Sequence, residues 1–194
     1  MTKLAELRSQ FVAWDNALNQ YNQTAAMVML GFYSGFCQYL GHNPATDGNV
    51  IDLHQIDLAA DGLAKHVPVD HFSKALTQDA DGIWHFGMTI ILQEGTSFEQ
   101  LLSTATRGKE IPITMPHFAR FHFHIQFSLR NGECNFQNGD DRTKTFPFRF
   151  TNNILVGPTD AYEYLAGILE AIFSTKPGEP PVSQPIGFDL GSRR

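Results

Sequence analysis

The chain has 194 residues, 42% apolar and 18% charged, so it can bury a sizeable core and is too apolar for a disordered chain. Its formal charge of −6, with no stripe of Lys and Arg to neutralise a row of phosphates, argues against a nucleic-acid partner. Sixteen Phe imply a core built from rings.

Leu4, Leu7, Phe11, Trp14, Leu18 and Tyr21 are spaced by alternating threes and fours, one stripe of a helix. Charged and apolar residues alternate here, unlike a signal peptide. Ala25, Val28 and Phe32 extend the phase, so one helix over about 3–40 competes with a helical hairpin, and the sequence leaves both open. Residues 25–40 are apolar on nearly every face, but the run is shorter than the ~20 residues a bilayer needs and is diluted by Tyr33, Ser34, Gln38 and Tyr39. A buried helix in a soluble, cytoplasmic protein is therefore expected, with no membrane partner. Gly31 and Gly35 form a GxxxG pair, open either to another chain or to tight packing within one subunit.

Gly41 to Pro44 end this helix, and residues 44–52 read as a loop. A short helix is predicted around Leu53 to His66, stopped by Pro68, and another from His71 to Leu76 capped by Asp70. Seven Asp against Lys65 and Lys74 between Asp47 and Asp81 give this stretch a local charge of −5, the mark of a solvated acidic region, or else of a cation or basic partner. Asp79-Ala80-Asp81-Gly82 resembles the start of a calcium loop, but Met88 stands where the closing Glu belongs, so a turn is predicted.

Beyond this turn the period becomes two. Trp84, Phe86, Met88, Ile90 and Leu92 occupy one strand face, with His85, Gly87 and Thr89 on the other. Residues 97–106 read as a brief helix and 110–116 as extended. Asn131-Gly132 is the strongest hairpin signal in the chain, because a type I′ turn needs positive φ at both central positions. It sets a register in which Arg130 faces Glu133, Leu129 faces Cys134, Ser128 faces Asn135, Phe127 faces Phe136 and Gln126 faces Gln137. Phe146, Phe148 and Phe150 put three rings on one face of a further strand, which Pro147 consigns to an edge or a bulge. Thr159 or Asp160 caps a last helix carrying Leu165, Ile168, Leu169, Ile172 and Phe173. The Pro/Gly-rich tail, 177–194, is expected to be an arm or a disordered end.

The expected fold is a single α+β domain over 1–176: an N-terminal helical segment (1–40), an antiparallel β-meander of about four strands (82–151) and a C-terminal helix (159–174) packed on the sheet. Cys37 and Cys134, far apart, are core residues of a chain suited to a reducing compartment.

Two constellations could carry chemistry. His122 and His124, at i and i+2 of a strand, lie on one face about 6.6 Å apart, within reach of one metal ion, though a third ligand such as His85 or Glu133 is required. The wider face, with His122, His124, Gln126, Ser128, Asn135 and Gln137 and with Thr89 and Arg149 as extensions, is rich in neutral amides and imidazoles, which suits a groove of convergent donors and acceptors. A covering helix is the plainer alternative. No nucleophile elbow, phosphate loop or HExxH motif is present. The leading expectation is a non-catalytic binding or interaction module without a cofactor, its ligand-binding residues being His85, His122, His124, Gln126, Gln137 and Arg149 and its ligand a small molecule or protein of unknown identity. The alternative is a metal-dependent enzyme, possibly a hydrolase, holding a divalent transition metal on His122 and His124. Self-association into a homodimer through the N-terminal helices is also expected, because one apolar sheet face cannot cover them and a C-terminal helix as well.

Overall fold

The computed structural model describes residues 2–43, 50–58, 64–94, 117–130, 133–139, 141–174 and 188–189. The N-terminal stripe forms one helix, α1, Lys3–Tyr39, which settles the choice against a hairpin. It ends on Gly41, whose φ of +71° only glycine adopts without strain. Among the described residues no helix is long and apolar enough to cross a membrane.

Nine strands follow among the described residues, more than the four expected: β1 (Ile51–Leu58), β2 (Ala64–Pro68), β3 (Thr77–Gln78), β4 (Trp84–Glu94), β5 (His117–Arg130), β6 (Glu133–Asn138), β7 (Asp141–Thr151), β8 (Ile154–Val156) and β9 (Phe188–Asp189). They form one antiparallel sheet ordered β2-β1-β4-β5-β6-β7-β8, with β3 paired to β4 and β9 to β5. A second helix, α2, Thr159–Ser174, completes the α+β architecture.

The β5–β6 hairpin has the register expected from sequence, from Gln126 opposite Gln137 to Arg130 opposite Glu133, although its Asn131-Gly132 turn lies outside the described residues. Pro147 sits beyond the end of β8, which pairs only with Arg149–Thr151, so its missing donor falls on an edge stretch. The register shift comes instead at Gln137/Asn138. Asn152 and Asn153, both at positive φ, make the tight turn from β7 to β8, a hairpin the sequence reading missed.

Three local expectations are overturned. The segment from Leu53 to His66 is not a helix but belongs to β1 and β2, which pair from His54 opposite Pro68 to Leu58 opposite Ala64. Its apolar spacing resembles a helix because β1 buries apolar residues on both of its faces, Ile51 on one and Ile56, an odd step away, on the other. The helix expected from His71 to Leu76 is a single 3₁₀ turn, Phe72–Lys74, capped by the His71 ring, which accepts from the Ser73 N–H at 3.2 Å. Asp70, the expected cap, pairs with Lys74 at 2.8 Å instead. Within the tail, Phe188–Asp189 adds a short strand beside Arg120 and Phe121 of β5, and the rest of the tail lies outside the described residues. The helix expected at 97–106 and the extended stretch at 110–116 lie there too.

Both helices pack on the same sheet face. Trp84, Phe86, Met88 and Ile90 of β4 stand opposite Phe127, Ile125, Phe123 and Phe121 of β5, all buried. From α1, Phe32 stacks on Phe136 at 4.5 Å between centroids and meets Phe86 edge-on, while Tyr162 of α2 closes on Phe32. Gly31 and Gly35 serve this packing within the chain. A Cβ on Gly31 would lie 2.9 Å from Leu155 Cδ1, and one on Gly35 would collide with the Tyr162 hydroxyl. Cys37 and Cys134 are free, buried thiols, and burial pushes Cys134 up to about 12, which blunts it as a nucleophile.

Candidate functional site

Since Phe86, Met88 and Ile90 face the helices, the pleat turns His85, Gly87 and Thr89 to the opposite side. Cross-strand pairing puts Gln126, His124 and His122 of β5 beside them, with His54 of β1 opposite Gly87 and His66 of β2 opposite Ile56. Five of the chain's eight histidines thus share one face of four adjacent strands, and no described helix covers it. Within that face the imidazoles divide into two groups.

The first group is a chain of hydrogen bonds. Asp79, in the turn before β4, accepts on Oδ1 from the N–H groups of Asp81 and Ile83, both at 2.9 Å, while its Oδ2 lies 3.0 Å from His85 Nε2. His85 Nδ1 is in turn 3.0 Å from His124 Nε2. A carboxylate can only accept, so His85 Nε2 carries the hydrogen given to Asp79. In the neutral ring, Nδ1 then accepts from His124 Nε2–H. Burial works against ionisation of Asp79, but the hydrogen bonds from His85, Ile83 and Asp81 outweigh it and hold the carboxyl below its ordinary range. Both rings are buried, His85 at 2% exposure and His124 at 4%. The far side of His124 is closed as well, since a Cβ on Gly139 would collide with its Nδ1. This group is matched internally and offers no room for a ligand.

The second group is His54, His66 and His122. Their ring centroids lie 5.0 Å apart for His66 and His122, 6.1 Å for His54 and His66, and 6.3 Å for His54 and His122. Thr89 Oγ1 meets His122 Nδ1 at 2.8 Å and fixes that ring. Nδ1 and Nε2 of His54 and Nδ1 of His66 are buried without a hydrogen-bond partner. Burial pushes His66 down to about 4, with nearby His122 and His54 adding to the effect. His54 is lowered too, by burial, partly offset by Asp52. Both are therefore uncharged at neutral pH. Among the described residues, no group of three or more His, Cys, Asp or Glu is placed so that it could hold a metal ion.

The amide end of the face continues past His85. Gln126, opposite both His85 and Gln137, is buried with Nε2 unpartnered, and it helps line a cleft of about 470 Å³ with Ser128, Asn135, Gln137, Asp81 and Tyr21. That volume lies in the range of small-molecule sites. Gln137 gives one hydrogen bond to Thr145 Oγ1 at 2.8 Å. Arg149 is on this face but at its far end, exposed and 3.9 Å from Glu133, so it stands apart from the other expected ligand-binding residues.

The structure therefore brings His85, His124, Gln126 and Gln137 together, and sets His122 against His54 and His66, which the sequence reading had placed in a helix. Asp79 was read only as a turn residue, and the period of its neighbours gave no sign that it would reach His85. His54 and His66 were within reach: Asp61-Gly62 between two apolar runs is a hairpin signal, and a hairpin would have put both rings on the sheet. No family model, curated protein or solved structure matches the chain.

Proposed function

We propose that this protein is a non-catalytic binding module whose ligand lies on the imidazole- and amide-rich face of the sheet. One observation carries the reading. Among the described residues, five buried side-chain nitrogens lack a hydrogen-bond partner, and four of them belong to this face: two on His54, one on His66 and one on Gln126. Such an atom costs about 1–3 kcal/mol when left unmatched, so a face serving stability alone would carry apolar side chains there. Buried polar atoms of this kind call for a water, an ion or a ligand to complete them. The rival, metal-dependent hydrolysis centred on His122 and His124, draws less from the geometry, because those two rings turn to different partners.

Ligand-observed NMR with a panel of neutral hydrogen-bonding compounds (amides, sugars and nucleosides) tests the reading. Compounds are expected to bind the wild type and to lose that signal with Gln126→Leu, which removes the unmatched amide while keeping the side chain's bulk. If no compound gives a signal that Gln126→Leu removes, the cleft is not a binding site.

A further inference from the structure

We propose that His54, His66 and His122 form a site for a divalent transition metal ion of zinc-like preference, held by three imidazoles. The inference rests on reading this face as a binding surface, and it names the ligand at the end away from the amide cleft.

The first support is topological. His54 and His66 come from the β1–β2 hairpin and His122 from β5, so β4 runs between the two sources. At the point where the rings close over β4, that strand has Gly87, the direct neighbour of His54 on one side and His124 on the other. A Cβ there would lie 2.7 Å from His66 Nδ1 and 3.0 Å from Ile56 Cδ1. Absence of a side chain at this one position is what lets the His66 ring lie over β4, toward His122.

The second support is metric. Imidazole nitrogens bind zinc at about 2.0–2.1 Å, so three rings arranged tetrahedrally around one ion have centroids roughly 5 Å apart. His66 and His122 stand at 5.0 Å already, and His54 is about 1 Å too far from each, at 6.1 and 6.3 Å. The donor atoms do not converge in the present rotamers. On this proposal it is the His54 ring that moves to take up the ion, while His66 and His122 already stand at the spacing required.

The third support is the unmatched nitrogens. Both nitrogens of His54 and one of His66 are buried and lack any partner, which a bound cation would supply. Outer contacts are in place as well: Thr89 orients His122 through Nδ1, the role a hydrogen-bonding neighbour plays for a metal-ligating imidazole. Asp52, two residues before His54 and opposite Thr89, brings a carboxylate to the rim of the same face. An all-imidazole set favours zinc, copper, nickel or cobalt over magnesium or calcium, which take oxygen ligands.

The experiment uses the full chain without a histidine tag, stripped with a chelator and titrated with Co²⁺ followed by visible absorption, then with Zn²⁺ in competition. Stoichiometric d–d bands that Zn²⁺ displaces are expected. His54→Ala, His66→Ala and His122→Ala should each weaken binding by at least about tenfold, whereas exposed His71→Ala should leave it unchanged. Should those variants fold poorly, imidazole ¹⁵N resonances of the wild type give the same answer, with Zn²⁺ expected to shift His54, His66 and His122 and not His71. No Co²⁺ bands and no Zn²⁺-induced shifts, or binding that survives all three substitutions, would overturn the site. Compounds that bind the amide cleft of a protein that takes up no metal would refute the metal and leave the binding module standing. Metal uptake with an unoccupied cleft would do the reverse.

Discussion

On β4 and β5 alternate side chains face two different interiors. The helix-facing side is filled by Phe86, Phe123, Ile125 and Phe127, with Phe86 edge-on to both Phe32 and Phe127, and none of the four has a side-chain polar atom to satisfy. The other side is comparably closed at His85, Thr89, His124 and Gln126, yet each of these brings hydrogen-bonding atoms that must be matched. Only part of that face achieves it: the Asp79–His85–His124 chain is complete, while His54, His66 and Gln126 retain unmatched nitrogens. The comparison separates what holds the fold from what the fold holds ready.

The helix-facing side should therefore yield the largest loss of stability. Phe127, 2% exposed and edge-on to Phe86, leaves a cavity when truncated, and Phe127→Ala is expected to cost about 3–5 kcal/mol, read as a lowered denaturant midpoint. An unchanged midpoint would mean that the two faces do not differ as described.

That side was also the more legible in the sequence. Period-two alternation gave the facing of residues 84–92, and with Asn131-Gly132 it gave both facing and register for the β5–β6 hairpin, because a slip of one residue would have inverted every side chain; the pairing of β4 with β5 was not legible. The imidazole face was legible only where it shares those strands, at His85, His122, His124 and Gln126. His54 and His66 were lost because β1 buries Ile51 on one face and Ile56 on the other, which mimics helical spacing, and Asp79 because its role depends on a turn bringing it back over β4.

Within the imidazole face, the matched chain should matter more to stability than the unmatched trio. Asp79→Ala removes the acceptor of buried His85 together with the turn's two N–H bonds, and a loss of about 1–3 kcal/mol is expected. Asp79→Asn keeps an oxygen for the turn and should cost less. Equal losses for the two would show that the turn bonds contribute nothing.

Acid distinguishes the trio from the carboxylates. His66 has an ordinary value of 6.5 and stands at about 4 in the folded chain, so between these limits the unfolded chain binds a proton that the folded one excludes. Its contribution is therefore fully present above pH 6.5 and is lost as the pH falls towards 4, with His54 shifted the same way. Asp79, held below its ordinary 3.8, adds a loss only at lower pH. Chemical denaturation in the presence of a chelator should show stability declining between pH 6.5 and 4, and His66→Leu should flatten that decline. A slope unchanged in His66→Leu would show that this ring is not the group excluded.

The smallest effect on the fold, and the largest on assembly, is expected in the first half of α1. Its second half is buried along one face, at Ala25, Val28, Met29, Phe32, Phe36 and Cys37, but Leu4, Leu7, Phe11, Trp14 and Leu18 stand exposed, Phe11 at 63% and Trp14 at 60%. Alternating steps of three and four make this stripe a heptad seam, the pattern with which two like helices pack against each other. It runs into the fold at Tyr21, whose ring meets Trp84 and whose hydroxyl accepts from the Trp84 Nε1–H at 3.1 Å. A second copy of this chain is the occupant we propose for the seam. Gly31 and Phe32 are not part of that contact, because both lie against the chain's own core. Phe11→Glu with Trp14→Glu should alter the stability of the isolated fold by no more than about 0.5 kcal/mol, since neither ring is buried in it. Light scattering at micromolar concentration should give a dimer for the wild type and a monomer for the double variant. A monomeric wild type would remove the second copy from the seam, and a dimer that persists in the variant would place the contact elsewhere.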